Sequence, residues 1–518
     1  MTTNIRHAAS TELLPELTRL GEHDAIPYYG NLIGGKPRPA VDEAVMASTN
    51  PARPTQILGY VPASGAADIE AAVAAAHAAF PGWRDTPAPQ RGQILARIAE
   101  RLHAHRDGLG RLVSREMGKV YDEARGYDVR GAAALAEYMS GEGRRFTGVT
   151  SPSETPGRMG FTLREPIGVV GLITPWNLPV LTPGQKIIGA IMCGNTVVLK
   201  PAEDTPLTAL LLAEIFQEAG VPDGVVNVVT GRGGEAGQAL VAHPGVDMIS
   251  FTGSTAAGRT IGGVAGSLLK RVSLELGGKN AIVVLDDADV QLAVDGAVWG
   301  GYASNGQRCT ASSRIVVDRR VAAEFTDSFV ARVRALRVGD PLIEGVQVGP
   351  LVNQAALDKV DSYTRIGLSQ GAELLTGGRP VPDAAGGYYY QPTVLGNVAP
   401  TDRVAQEEIF GPTVSITVVD DEDEALQVAN GTEYGLSMAV YTRDASRGLA
   451  WVHRMEAGMV YLNAPTIGAE VQFPFGGIKN TGNGHRETGP SVIEQFTEVK
   501  SVYLDYSGQL QRTGFTLD

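Results

Sequence analysis

The chain has 518 residues, of which 43% are hydrophobic and 19% are charged, so two or three globular domains are expected. Its formal net charge of −13 argues against a nucleic-acid partner, because such a surface needs a basic stripe. The two cysteines, Cys193 and Cys309, provide neither a disulfide framework nor a zinc-ligand spacing, which favours a reducing compartment and no metal site.

The N-terminal segment and the hydropathy of the chain bear on its location. Residues 1–27 are predicted to form a peripheral arm, with a short helix over 15–20. The first twenty residues carry Glu12 and Glu16 and lack a continuous apolar stretch, so no secretory signal is expected. No uncharged apolar run approaches the length of a membrane span. The sequence therefore predicts a cytoplasmic protein with no membrane partner.

The chain predicts helices first and then an alternation of strands and helices. Alanine-rich segments with apolar residues at helical spacing predict helices over 67–80, 90–105 and 121–140. After residue 166, strands of β-branched residues alternate with helices, which predicts a parallel α/β sheet and a platform for a nucleotide. The strands are expected at 169–173, 196–199, 225–229 and 248–251, and the helices at 207–218 and 235–242.

The alternation starts again after Gly278, which predicts a second α/β domain beginning near Glu275. Its strands are expected at 281–285 and 314–317, and its helices at 290–302 and 321–336. Near the end of the chain, residues 499–504 have the β-branched and aromatic content of a strand. Because no turn and partner strand follow, this strand is expected to join the sheet edge of another subunit.

The two cysteines differ in their surroundings. Cys309 lies in the polar run 304–310, after a Gly-Gln turn, and is predicted to be a nucleophile rather than core filler. Cys193 lies in an apolar approach to a strand and is interpreted as structural. Upstream of Cys309, Glu275 is flanked by apolar residues, and partial burial would raise its pKa toward neutrality, as a general base needs. A capping or ion-paired acid is the alternative interpretation of Glu275.

Two other turns present polar or aromatic side chains. Asn177 stands between two prolines that restrict the backbone, and its amide is a candidate for one half of an oxyanion hole. The alternative is an asparagine that satisfies backbone groups of its own turn. Glu408 and Phe410 offer an acid and an aromatic ring on a short turn, where a helix-end acid pair with Glu407 is the alternative.

Polar and glycine-rich turns follow the strands of the first sheet. Lys200 and Glu203 suit ribose hydroxyls, where an acid favours NAD over NADP, although a surface salt bridge is the alternative. In the turn 231–237, Ala236 breaks the strict G-x-G-x-x-G fingerprint. The turn 251–254 opens a helix whose free N–H groups suit a pyrophosphate. Glycines are common at such turns, so each signal is weak when it is taken alone.

The order of these motifs resembles the aldehyde dehydrogenase superfamily, from about Leu32 to Asp505. The resemblance rests on residues 174–179, 200–203, 251–254, 274–278, 307–309, 408–410 and 474–477. It implies an α/β fold with two parallel-sheet domains, a Rossmann-like cofactor domain and a catalytic domain, plus a small bridging element, in a homodimer or homotetramer. The implied parts are an N-terminal arm at 1–27, a cofactor domain at 28–147 and 165–275, a catalytic domain at 276–480, and a bridging element at 148–164 and 481–518.

The resemblance also implies residue roles. Cys309 would be the nucleophile, Glu275 the general base and Asn177 the oxyanion donor. Lys200 and Glu203 would hold the adenine ribose of the cofactor. The full set of implied cofactor-binding residues is Ile173, Thr174, Trp176, Lys200, Glu203, Gly233, Gly237, Phe251, Gly253, Ser254, Leu276, Glu408 and Phe410. The cofactor is expected to be NAD, with NADP as the alternative.

One departure from the family pattern lies close to the nucleophile. Ser304 stands where the family usually has asparagine, and Asn305 follows it. The departure concerns the packing of this loop and leaves the Gly-Gln-x-Cys core, residues 306–309, intact.

The implied reaction oxidises an aldehyde to a carboxylic acid with NAD(P)+, through a thiohemiacetal and a thioester on Cys309. Glu275 would activate the water that hydrolyses the thioester. Transfer of the acyl group to coenzyme A is an alternative, but superfamily members that do so typically lack the glutamate. A non-catalytic scaffold on the same fold is disfavoured by the joint presence of Cys309, Glu275 and Asn177.

The substrate is a small-molecule aldehyde of two possible kinds. In semialdehyde-oxidising relatives an arginine at the position of Arg308 can bind a substrate carboxylate, which predicts an aminoadipate- or ketoglutarate-type semialdehyde. The alternative is an arginine turned away into a structural ion pair. Leu178, Thr310 and Glu470 are the other substrate candidates. Since Glu470 at the entrance would repel an acid, a simple aliphatic or aromatic aldehyde stays open.

Overall fold

The structure of the protein is a computed structural model that describes residues 17–509. The helix predicted over 15–20 lies partly outside this range. Within it, Arg19 and Leu20 belong to the strand Arg19–His23, which pairs antiparallel with Ile26–Tyr29. The helix prediction is wrong for these two residues, because the neighbouring strand supplies their hydrogen-bond partners.

The first large sheet has seven strands and is parallel through most of its width. Its central strand Val169–Ile173 lies between Thr196–Lys200 on one side and Met248–Thr252 on the other. After the central strand, the chain adds strands first on one side of the sheet and later on the other. A crevice forms at the carboxyl ends of the strands where this direction reverses. The strand order is Arg271–Glu275, Met248–Thr252, Val169–Ile173, Thr196–Lys200, Val226–Val228, Asn31–Ile33 and Lys36–Arg38.

The second large sheet also has seven strands. All its pairings are parallel except that between Glu373–Thr376 and Thr393–Gly396. Its strand order is Glu373–Thr376, Thr393–Gly396, Thr413–Val419, Arg314–Asp318, Ala281–Val284, Ser437–Tyr441 and Met459–Leu462. The strands of both sheets are buried on both faces at their centres, as in sheets covered by helices.

A small antiparallel sheet joins Thr150–Pro152, Arg158–Pro166 and Thr497–Asp505. The C-terminal strand is an edge strand of this sheet, so its expected pairing with another subunit stays a prediction. It pairs over its whole length with Arg158–Pro166 of its own chain, from Thr497 opposite Pro166 to Asp505 opposite Arg158. The partner strand precedes it by more than 300 residues, which no local turn signal reveals. The remaining strands are Val45–Asn50, Arg53–Pro62, Tyr434–Gly435 and Ile478–Lys479.

The helices predicted between residues 67 and 336 are present, with some unpredicted features. The helical run from Tyr121 to Glu142 contains a π-helical turn at Ala124–Val129, a feature often found at functional sites. The α-helices are Ala66–Arg84, Ala88–Ala104, Arg106–Met117, Tyr121–Glu123, Arg130–Glu142, Leu181–Met192, Pro206–Glu218, Gln238–Ala242, Thr255–Ser267, Val290–Tyr302, Arg319–Arg334, Gln354–Ser369, Arg403–Gln406, Glu422–Asn430, Ala445–Arg454 and Ser491–Gln495. A second π-turn spans Gly233–Gly237, and a 3-10 turn spans Ala303–Gly306.

The predicted fold class is confirmed: two parallel α/β sheets with a small antiparallel element. The bounds of the implied domains stay a prediction, and residues 510–518 of the implied bridging element lie outside the described range. Among the helices between residues 17 and 509, none combines the length and the apolar character that crossing a membrane requires.

The buried strand Thr196–Lys200 offers a test of where stability comes from. We expect Leu199→Ala to lower the free energy of unfolding by about 3 kcal/mol, because Leu199 is fully buried and its removal leaves a cavity. The matched control is Leu449→Ala, since Leu449 is 59% exposed and its loss should change the stability by less than about 0.5 kcal/mol. Urea unfolding measures both, and equal losses would contradict the packing described for the first sheet.

Candidate active site

The carboxyl ends of the first sheet face the amino ends of the second, and a cavity of about 700 Å³ lies between them. From the first sheet, residues after Val169–Ile173 and Met248–Thr252 line it. From the second sheet, residues just before Ala281–Val284 and Arg314–Asp318 do so. The predicted site residues that line the cavity are Ile173, Thr174, Trp176, Asn177, Leu178, Lys200, Glu203, Phe251, Gly253, Ser254, Glu275, Leu276, Arg308, Cys309, Thr310, Glu408, Phe410 and Glu470.

Two predicted cofactor residues, Gly233 and Gly237, do not line the cavity but lie next to residues that do. The backbone N–H of Gly233 donates to the carboxylate of Glu203 over 3.2 Å. A Cβ at Gly237 would lie 3.5 Å from the side chain of Lys200. Both glycines belong to the π-turn Gly233–Gly237, so they flank the crevice at its outer end.

The loop before Cys309 makes a tight left-handed turn. Ser304, Asn305 and Gly306 have φ values of 51°, 60° and 69°. A Cβ on Gly306 would lie 2.2 Å from the carbonyl oxygen of Gly411, so only glycine fits there. The fully buried Asn305 side chain donates to the carbonyls of Gly118 and Pro350 over 3.0 and 2.9 Å. This network fixes the loop that presents Cys309.

The Asn177 side chain joins the same loop. Its Nδ2 donates to the carbonyl oxygen of Gln307 over 3.0 Å, and the side chain is buried. The acceptor lies in a connection of the second sheet, so this bond does not satisfy a backbone group of the turn that contains Asn177. The alternative interpretation of Asn177 is therefore wrong for this bond. One of the two Nδ2 hydrogens is used by the bond, which leaves the second for a ligand.

Glu275 ends the strand Arg271–Glu275 with a buried carboxyl group. Neither of its oxygens has a hydrogen-bond partner among the described residues. Burial raises the pKa of Glu275 well above its ordinary value, and the negative charge of Glu487 raises it further. Burial and the neighbouring Glu487 therefore favour the protonated form of this carboxyl group.

Sequence reasoning missed two charged residues beside Glu275. Glu487 accepts a hydrogen bond from Nε2 of Gln185 over 2.7 Å and forms a close ion pair with Lys186. Lys186, which is buried, also donates to Oγ of Ser250 over 2.8 Å. The available signal was a charged residue inside the otherwise apolar helix Leu181–Met192, since lysine is almost never buried unless it is paired.

The thiol of Cys309 is partly exposed to the cavity. Burial raises its pKa to about 12, and the charges of Glu408 and Glu275 act in the same direction. The nearby Arg308 lowers the pKa, but by less than burial raises it. Burial therefore favours the neutral thiol of Cys309 over the thiolate.

The rest of the cavity fits a dinucleotide. At the outer end the half-exposed Glu203 lies 3.9 Å from Nζ of the buried Lys200, which also donates to the Gly231 carbonyl. Ser254 caps the helix Thr255–Ser267 and leaves N–H groups at its N-terminus for a phosphate. The buried hydroxyl of Thr174 has no partner among the described residues, so a ligand can satisfy it.

The inner end of this cleft is held by Glu408 and two aromatic rings. An oxygen of Glu408 accepts from the backbone N–H of Gly278 over 3.0 Å. The rings of Trp176 and Phe410 pack edge to face with centroids 5.4 Å apart. Burial raises the pKa of Glu408, and the hydrogen bond from Gly278 and the charges of Lys359 and Lys279 lower it.

Arg308 lies in the cavity wall with its guanidinium buried. It forms a close ion pair with Glu123, and its Nε donates to Oγ of Ser304 over 3.1 Å. The guanidinium stacks on the Tyr127 ring at 4.2 Å from the centroid. Its Nη1 is buried and has no partner among the described residues. The ion pair of the alternative interpretation is thus present, yet it leaves one donor of Arg308 unused.

A thiol, an unpartnered buried carboxyl and a cleft for a dinucleotide meet where the two parallel sheets face each other. This combination defines an oxidoreductase that uses a nicotinamide cofactor and a cysteine. Residues 39–502 match the model of the aldehyde dehydrogenase family, and the chain belongs to that family. It is an NAD(P)-dependent aldehyde dehydrogenase.

Three relatives illustrate the similarity. The chain is 40% identical over 478 residues to the alpha-ketoglutaric semialdehyde dehydrogenase of Bacillus subtilis (strain 168), which covers 92% of this chain and 98% of the relative. It is 40% identical over 483 residues to the phenylacetaldehyde dehydrogenase of Pseudomonas fluorescens, covering 92% and 95%. The crystal structure of Staphylococcus aureus betaine aldehyde dehydrogenase in complex with NAD+ matches with a TM-score of 0.93 and 32% identity, covering 99% of this chain and 100% of that chain.

Within residues 17–509, no group of three or more histidine, cysteine, aspartate or glutamate side chains is arranged to hold a metal ion.

The pKa of Cys309 can be tested by alkylation of the protein without cofactor. We expect iodoacetamide to label Cys309 slowly at pH 7 and about tenfold faster with each pH unit up to pH 10, because only the thiolate reacts. Mass spectrometry of the labelled peptide measures the rate, and Cys309→Ser is the control for labelling elsewhere. A labelling rate that levels off near pH 8 would contradict the raised pKa.

Proposed function

We propose that this enzyme oxidises an aldehyde that carries a carboxylate at its other end, of the α-ketoglutaric semialdehyde type. The observation that carries the proposal is Arg308, a buried cation in the cavity wall next to Cys309 with an unpartnered Nη1. A substrate carboxylate supplies the acceptor that this donor lacks, and a buried unsatisfied donor is costly. The similarity to the alpha-ketoglutaric semialdehyde dehydrogenase of Bacillus subtilis supports the proposal.

In the proposed mechanism, the Cys309 thiol releases its proton to solvent as its sulfur adds to the aldehyde carbonyl and forms a thiohemiacetal. The free Nδ2 hydrogen of Asn177 and the Cys309 backbone N–H stabilise the oxyanion that develops. Glu203, Lys200 and Glu408 would hold the nicotinamide cofactor, which would accept the hydride that leaves the thiohemiacetal carbon. The acyl group then remains on Cys309 as a thioester.

Glu275 is the proposed base of the second half of the reaction. Its raised pKa makes the Glu275 carboxylate a stronger base, which takes a proton from a water molecule so that the water attacks the thioester. Glu487 raises this basicity by its negative charge, and Lys186 with Gln185 keeps Glu487 in place. The product is a carboxylic acid, and Cys309 recovers its proton.

The role of Glu275 predicts a defined block. We expect Glu275→Gln to lower steady-state turnover by about 100-fold or more, because the amide cannot accept the proton. Acylation of Cys309 does not need this base, so an acyl-enzyme should accumulate and add the mass of the acyl group to the intact protein. If the variant turns over slowly without a mass increase, hydrolysis is not the step that Glu275 serves. Restored turnover on addition of coenzyme A would favour thioester transfer instead.

A neutral aliphatic or aromatic aldehyde is the second candidate substrate. Glu123 already balances the charge of Arg308, and Glu470 is exposed at the cavity, where it would repel an acid. Leu178, Val471 and Phe475 give the cavity an apolar wall. The phenylacetaldehyde dehydrogenase relative is as similar as the semialdehyde dehydrogenase, so overall identity does not choose between the substrates.

Arg308→Met distinguishes the two candidates. We expect kcat/KM for 5-oxopentanoate to fall by about 10- to 100-fold through loss of a charged hydrogen bond. Pentanal has the same chain length without the carboxylate, so it reports the effect of the lost Glu123 ion pair on the Cys309 loop, and its kcat/KM should fall at least about threefold less than that for 5-oxopentanoate. Arg125→Met is the matched control variant, because Arg125 also stacks on a tyrosine and pairs with an aspartate but lies at the surface. Equal losses for both aldehydes would favour the neutral substrate.

The assembly and location of the enzyme are also proposals. Val499, Leu504 and Tyr503 are 60%, 50% and 75% exposed on the outer strand of the small sheet. Such an apolar edge favours a homodimer or homotetramer in which a second copy covers it. Two free cysteines favour a reducing compartment and hence the cytoplasm.

A further inference from the structure

A cluster of buried charges lies behind the loop that presents Cys309. It consists of Lys119, Glu123, Asp128, Ser304 and Arg308, and we refer to it as the Arg308 cluster. Lys119 and Asp128 are both fully buried and their charged atoms are 2.9 Å apart. Glu123 and Arg308 form the second ion pair. The cluster is therefore balanced in charge, and the proposed mechanism uses only Arg308.

Glu123 contacts both ends of the turn that precedes the nucleophile. Its carboxylate accepts from the backbone N–H of Ser304 and from Oγ of Ser304, each over 2.7 Å. It also binds the guanidinium of Arg308, the residue next to Cys309. A single carboxylate thus closes the left-handed turn from position 304 to position 308.

We propose that Glu123 is a positioning residue that holds the Cys309 loop in its reactive geometry. The proposal rests on the nucleophilic role of Cys309 proposed above. Glu123 itself does not line the cavity, so it acts through Ser304 and Arg308. A left-handed turn of two non-glycine residues is strained, and such a conformation persists only where its surroundings fix it.

The surroundings of Glu123 keep it charged and fixed. Burial alone would raise its pKa, but the positive charges of Arg308 and Lys119 and the bonds from Ser304 outweigh burial and lower it. The residue stands directly before the π-turn Ala124–Val129. Within that turn, Asp128 accepts from Lys119 and from the backbone N–H of Leu181, the latter over 2.7 Å. Asp128 therefore attaches this segment to the helix that begins at Leu181, and Glu123 contacts the loop that presents Cys309.

The arrangement also accounts for the serine at position 304. Its small hydroxyl group donates to Glu123 and accepts from Nε of Arg308 over 3.1 Å. The neighbouring Asn305 anchors the other side of the turn through Gly118 and Pro350. The departure from the usual family pattern at Ser304 therefore belongs to this cluster, and the loop has two separate attachments to the segment 118–128.

Glu123→Gln tests the proposal. Glutamine keeps the shape of glutamate and one acceptor oxygen, but its NH2 group places a second hydrogen-bond donor next to Arg308. We expect kcat/KM for pentanal to fall by about 10- to 100-fold, since a small misplacement of the nucleophile is costly. Iodoacetamide labelling of Cys309 should instead become about three- to tenfold faster. A looser loop exposes the thiol, and an unbalanced Arg308 lowers its pKa.

The opposite movement of turnover and thiol labelling is the diagnostic result. A general loss of stability would increase the labelling of the fully buried Cys193 together with that of Cys309. Glu137→Gln is the matched control, since Glu137 pairs with His103 at the surface and is 59% exposed. If Glu123→Gln behaves like Glu137→Gln, the positioning role is wrong.

Two further variants separate the possible failures. Cys309→Ser must abolish turnover, and if it does not, the proposed nucleophile itself is wrong. If Glu123→Gln does not fold, Ser304→Ala removes two bonds of the cluster and keeps the backbone N–H bond to Glu123. It should lower kcat/KM for pentanal by about threefold and raise Cys309 labelling to a similar extent. A Ser304→Ala enzyme with unchanged turnover and labelling would overturn the proposal.

Discussion

The active site depends on the removal of charged groups from water between two parallel sheets. Where the carboxyl edge of one sheet faces the amino edge of the other, Glu275, Lys186, Glu487, Arg308 and Glu123 all lose most of their hydration. Desolvation disfavours charge, so it raises the pKa of an isolated acid and must be offset wherever a charge persists. Glu275 has no hydrogen-bond partner among the described residues and a raised pKa, whereas Lys186 and Arg308 are each paired with a carboxylate. The same burial raises the pKa of Cys309 to about 12, which favours its neutral thiol.

This constraint explains why the connections between strands are so firmly tied. The Cys309 loop carries three consecutive residues in the left-handed region, and Gly306 leaves no space for a side chain against Gly411. Such a loop needs anchors from outside its own segment. Asn305 reaches Gly118 and Pro350, Asn177 reaches Gln307, and Glu123 reaches Ser304 and Arg308. The nucleophile of the second sheet is therefore positioned largely by residues that belong to the first.

Family membership and substrate choice rest on different parts of the molecule. Family membership follows from the match of residues 39–502 to the family model. It also follows from the fold, which matches that of Staphylococcus aureus betaine aldehyde dehydrogenase with a TM-score of 0.93. Relatives acting on a semialdehyde and on phenylacetaldehyde are each 40% identical to this chain. The choice between an acidic and a neutral aldehyde therefore depends on the local charges of Arg308, Glu123 and Glu470. Arg308, a buried cation with one free donor, favours an acidic substrate, whereas the exposed Glu470 at the same cavity disfavours it.

The sequence by itself determined the alternating strands and helices of both sheets, the fold class, and the turns that carry Cys309, Glu275 and Asn177. These features are local: β-branched runs, glycine turns and a thiol in a polar loop are each readable within about ten residues. Only the tertiary structure decided that Lys186 and Glu487 stand beside Glu275, that residues 497–505 pair within their own chain, and that Arg308 is held by Glu123. Lys186 lies more than 180 residues from Glu487 in the chain. The same holds for the two paired strands and for Arg308 and Glu123. These contacts form because the completed fold buries elements against each other that are far apart in the chain. A pattern within about ten residues cannot indicate such a contact.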